Sequence, residues 1–124
     1  MRSLIAAPLL ATALLAAAVP LAGDAAAHCH SADCVPNVAR DIVPYSPCRP
    51  GKYFNYGLDA TGATYVCNRT GVWTPAGPLV GVYNVAMPCD EVGTSAQGSD
   101  GVAFMCADMG GGDIRWVHRI DTLE

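Results

Sequence analysis

The sequence predicts a small, disulfide-rich, all-β fold with little or no helix, and three observations carry that expectation. The first is a pattern written twice. Pro47-Cys48, Gly62-x-x-Tyr65-x-Cys67 and Gly71-x-Trp73 are followed by Pro88-Cys89, Gly101-x-x-Phe104-x-Cys106 and Trp116. Corresponding cysteines lie about forty residues apart, a period typical of one supersecondary unit stacked on its copy. The second is the even count of 6 cysteines in 124 residues. The third is that β-prone runs punctuated by Gly and Pro recur, while no stretch has the apolar period of a useful amphipathic helix.

The chain divides into residues 1–27, 28–46, 47–87 and 88–124. Arg2, the Ala/Leu run over 4–19 and the Ala25-Ala26-Ala27 end of the next segment form a secretory signal peptide with a cleavage site. The run is shorter than the roughly 20 apolar residues a membrane span needs and contains Pro8. The expected product is therefore a secreted, extracellular chain beginning at His28, with no stable membrane span after processing. Residues 28–46 form an N-terminal segment with a short Cys loop. Residues 47–87 are the first repeat with a linker strand, and 88–124 the second repeat.

The net charge of −4 disfavours non-specific nucleic-acid binding. The part beyond the leader is rich in Gly and Pro and short of Leu and Ile, so its core is thin. Small exported domains make up that deficit with disulfides. Spacing alone cannot select the pairs, but the repeat does: each copy closes on itself as Cys48–Cys67 and Cys89–Cys106, leaving Cys29–Cys34. Each repeat bridge closes roughly 20 residues, worth about 3 kcal/mol. The competing use of His28, Cys29, His30 and Cys34 as a zinc site is disfavoured by the oxidising destination.

Within each copy the elements follow in order. Residues 63–67 run out as a strand, 68–71 turn, and 72–74 return antiparallel. In the second copy 102–106 run out, 109–113 make a longer turn and 114–120 return, with Trp116, His118 and Ile120 on one face. Residues 79–87 form a β-rich linker, with 40–47 as its weaker counterpart, and 37–42 support at most a helical turn. The two hairpin repeats pack together.

The duplicated unit over about 47–117 resembles a group of small secreted actinobacterial proteins with the same Cys/Gly/Trp arrangement. That resemblance implies an exported or cell-envelope protein and no activity. Tyr65-Val66-Cys67 and Gly71-Val72-Trp73 also resemble fragments of the complement-control module, whose four-cysteine pattern is absent here.

Positions shared by the copies are read as structural, with Tyr65 and Phe104 packing on the bridges. Positions that differ are candidates for function. Between its cysteines the first copy carries Arg49, Lys52, Tyr53, Phe54 and Tyr56, whereas the second has an acidic, polar loop from Asp90 to Gly98. These five residues are the candidate binding set, with Phe54 and Tyr56 on one side of an alternating strand and Tyr53 on the other. The alternative is that the aromatics fill the space between the repeats.

Catalytic residues are not indicated. His118 has no nucleophile beside it, the serines lack a nucleophile elbow, and all cysteines are committed to bridges. The sequence reading is thus a non-enzymatic interaction or envelope module whose partner is a cell-wall polymer or an extracellular protein. Two alternatives remain at this point: a copper binder using the amine of His28 with the His30 imidazole, and a small hydrolase or lytic accessory using loop carboxylates.

Overall fold

Short β-strands supply nearly all the regular structure of the computed structural model, which describes residues 29–120. The expected signal peptide with its cleavage site, and His28, lie outside the described residues. In chain order the strands are β1 Val38–Arg40, β2 Tyr56–Leu58, β3 Thr64–Cys67, β4 Trp73–Pro75, β5 Leu79–Val82, β6 Ser95–Gln97, β7 Ala103–Asp108 and β8 Ile114–His118. A single 3-10 turn, Ala32–Cys34, precedes them.

The strands form two four-stranded sheets, ordered β1-β2-β3-β4 and β5-β6-β7-β8. Each sheet opens with a parallel pair, β1/β2 or β5/β6, and continues antiparallel through the remaining strands. The hairpins expected at 63–74 and 102–120 are therefore the outer half of each unit, the second ending with β8 at His118. The run 79–87, expected as a linker, contributes β5 to the second sheet. Residues 37–42 hold strand β1 rather than a helical turn, because Val38 is buried and pairs in register with Tyr56. Tertiary pairing overrides a weak local preference there.

Parallel pairing needs a crossover connection, and here each crossover is a loop without a helix. The bridges fasten it. Cys48 joins Cys67 on β3 and Cys89 joins Cys106 on β7, while Cys29 joins Cys34. Isolated pairings of Pro47 with Val72 and of Pro88 with Arg115 secure the same two loops. The hydrogen bonds repeat as well: Cys67 N–H donates to the Asn55 carbonyl at 2.8 Å and Cys106 N–H to that of Thr94 at 3.0 Å. Tyr45 N–H and Ala86 N–H likewise donate to the carbonyls of Trp73 and Trp116.

One core lies between the sheets and includes Val38, Tyr56, Leu58 and Val66 from the first and Leu79, Val82 and Ala103 from the second, with Cys29 and Val35 added by the N-terminal segment. A second gathers Ala96, Phe104, Trp116 and the Cys89–Cys106 bridge on another part of the second unit. Buried polar groups tie the units together. Tyr56 Oη donates to the Phe104 carbonyl, and Leu79 N–H donates to Thr64 Oγ1 at 3.0 Å. Gln97, fully buried, pairs both ends of its amide with the backbone of Asn37. The N-terminal loop needs Gly81: a Cβ there would run into the Cys29 carbonyl, and its φ of 144° suits no other residue well.

The expected face of Trp116, His118 and Ile120 is covered only at Trp116. His118 lies against Phe104 at 5.2 Å between ring centroids and is exposed, as is Ile120. Phe104 is buried with its bridge as expected, but Tyr65 is half-buried and meets Tyr45 edge-on.

Candidate functional site

The candidate binding loop between Cys48 and β2 keeps its exposed aromatics and cations but loses one member. Tyr53 and Phe54 are 50% and 52% exposed, whereas Tyr56 is fully buried between the sheets. Tyr56 is thus a packing residue, and the alternation that would set it beside Phe54 does not exist. The cause is the backbone of Phe54, whose φ of 58° interrupts the extended chain just before β2. Lys52 Nζ stands 5.6 Å from the centroid of the Tyr53 ring, and the same ring covers Gly101 of the second unit, where a Cβ would collide with it. Arg49 and Lys52 are exposed. The result is a basic loop with two half-exposed rings, one braced against the second unit.

Left-handed backbone is unfavourable for bulky residues, which makes Phe54 informative. Its counterpart, one residue before the Thr94 carbonyl that matches Asn55, is Gly93, with φ of 96°. The fold requires that conformation in both copies, and only the first places an aromatic there. The same contrast holds at Tyr45 and Ala86, with φ of 65° and 70°. Tyr45 is also exposed and was not singled out from sequence; the only sequence signal is its place three residues before Cys48, matching Ala86 before Cys89.

A second feature is a groove in the second unit of about 340 Å³, lined by His30, Tyr83, Asp90, Glu91, Thr94 and Trp116 among others. Tyr83 stacks on Trp116 with centroids 5.2 Å apart and planes 21° from parallel. His30 Nδ1 lies 3.2 Å from Tyr83 Oη. Thr94 Oγ1 donates to the Glu91 carbonyl at 2.8 Å, which shapes the acidic turn. This grouping draws on the N-terminal segment, the crossover loop and β8, so no local motif announces it.

His30 is the described half of the proposed copper pair, and chelation through its Nδ1 would require it to leave Tyr83. Among the described residues no group of three or more His, Cys, Asp or Glu is placed to hold a metal ion. Asp59 has a structural role: its carboxyl is held below the usual carboxylate range by the Thr61 hydroxyl first and then by the Ala63 and Thr61 amides. Asn68 makes the same turn with Thr70 and Val72.

No protein-family model matches the chain, and neither does any curated protein or any solved structure.

Proposed function

We propose that this chain is a secreted, non-enzymatic interaction module that attaches to a cell-envelope polymer through the basic aromatic loop of Arg49, Lys52, Tyr53 and Phe54. The observation that carries the reading is Phe54. A half-exposed aromatic held in a left-handed conformation, where the equivalent position of the other copy is glycine, is a local cost that folding alone does not require. Such outliers point toward function. Rings on a cross-linked loop offer stacking area with little conformational entropy to lose, and flanking cations add charge selectivity. Three disulfides in so small a chain suit an extracellular destination, and no described helix is long and apolar enough to cross a membrane.

The test is sedimentation of the oxidised protein with purified cell-wall polysaccharide, comparing wild type with a Tyr53→Ala/Phe54→Gly variant of matched thermal stability. Retained binding by the double variant removes the loop from the function. Loss of binding with an unchanged melt supports it.

A further inference from the structure

The groove on the second unit has its own chemistry, independent of the loop. Its lining contains two aromatic rings in a stacked pair, two carboxylates and a histidine, and neither lysine nor arginine. Arg115, next to Trp116 in the chain, is engaged elsewhere: its Nε donates to Asp113 at 2.9 Å and its Nη1 to the Ala86 carbonyl at 2.8 Å. We propose that this groove is a second binding site, for a small organic ammonium ion carrying an oxygen acceptor beside the charge.

Four observations support it. The volume of about 340 Å³ is within the range of small-molecule sites. Trp116 is covered by the stack, but Tyr83 is only part-buried and its open face attracts a cation through the ring quadrupole, and the carboxylates of Asp90 and Glu91 stand in the same lining. Trp116 is 98% buried, given its 2% exposure, and its Nε1–H has no hydrogen-bond partner. A buried donor left unpaired is costly, and an oxygen on the ligand supplies the acceptor it lacks. Finally, the second copy differs from the first at these positions. The residue after the bridged cysteine is Asp90 in place of Arg49, and Tyr83 occupies the position matched by Ile42, forty-one residues earlier. In the first copy Ile42 and Trp73 close directly over Gly57, so that a Cβ there would meet Ile42 at 2.9 Å and Trp73 at 3.0 Å.

The experiment follows the two indole N–H resonances of the oxidised chain by proton–nitrogen NMR during titration. Choline serves as probe, with 3,3-dimethyl-1-butanol as its neutral isostere, and ethanolamine tests whether a primary ammonium beside a hydroxyl is also taken. Saturable binding of either ammonium compound should shift the Trp116 resonance and leave that of Trp73 in place. The neutral isostere should bind about tenfold more weakly, and Asp90→Asn/Glu91→Gln, both exposed positions, should weaken ammonium binding by a similar factor while keeping the dispersed amide spectrum. The Phe54→Gly variant should bind choline as wild type does, which separates this site from the loop. Equal binding of the isostere, unchanged affinity in the Asp90/Glu91 variant, or no shift at Trp116 with either ammonium compound would overturn the proposal.

Discussion

Replacing Phe54 by glycine separates strain from packing. At φ 58° a non-glycine residue carries about 1–2 kcal/mol of left-handed penalty, which glycine removes. Glycine gives back about 0.5–1 kcal/mol through the freedom it adds to the unfolded chain. The ring is 52% exposed, so close to half of the roughly 1.5–3 kcal/mol available from full burial is lost as well, about 1 kcal/mol. The sum lies within about 1 kcal/mol of zero, a shift in Tm of at most about 4–8 °C for a domain of this size. Phe54→Ala loses the same ring and keeps the strain, so it should melt below Phe54→Gly. Thermal unfolding of the three proteins by near-ultraviolet circular dichroism, beside the polysaccharide sedimentation assay, measures both the order and its consequence. An alanine variant more stable than the glycine variant would show that the left-handed conformation is not imposed by the fold, and the strain reasoning would fail.

Other outcomes follow from the same structure. Removing Cys48–Cys67 or Cys89–Cys106, with separations of 19 and 17 residues, should cost about 3 kcal/mol each, against about 2 for Cys29–Cys34 with its separation of 5; denaturant titration of paired Cys→Ser variants checks the ranking. Tyr56→Phe should cost about 1–3 kcal/mol by deleting the hydrogen bond to the buried Phe104 carbonyl, and Tyr56→Ala about 3–5 kcal/mol, measured by the same titration. The depressed Asp59 pKa contributes stability that is present above the ordinary carboxylate range and is lost as pH falls through the folded-state value. Acid melts of Asp59→Asn should accordingly show a shallower decline than wild type over that interval, the group being at the surface.

What could be read from the sequence was what spacing records. The hairpins β3/β4 and β7/β8 carry β-prone runs with Gly or Asn turns between them, and the duplicated cysteines chose their partners by repetition. The strands β2 and β6 left no such trace. Each is three residues long and buried throughout, so neither shows the apolar–polar alternation that marks a half-exposed strand. Tyr56 was misassigned for a related reason: alternation assumes an extended chain, and the left-handed turn at Phe54 resets the phase. The groove could not be anticipated because His30, Tyr83 and Trp116 meet only after the second sheet forms.

The duplication allows a comparison that a single unit would not. Where the two copies share a backbone conformation and a hydrogen-bond partner, a difference in side chain is not dictated by that conformation. At Phe54 the first copy bears an aromatic at a backbone cost that Gly93 avoids, and at Tyr45 it bears one where the second copy holds Ala86 in the same left-handed conformation. After the bridged cysteine the charge reverses from Arg49 to Asp90. Tyr56 fails the same criterion despite its aromatic ring, because its counterpart Ser95 is equally buried and the difference is absorbed by packing across the sheets. The criterion therefore selects Tyr45, Phe54 and the loop cations on one unit and the carboxylates beside the Tyr83–Trp116 stack on the other, two surfaces of opposite charge on one scaffold. A ligand-free crosslinking experiment on intact cells should capture neighbours through both if each is used, and substitution in one unit should leave the other's crosslinks unchanged.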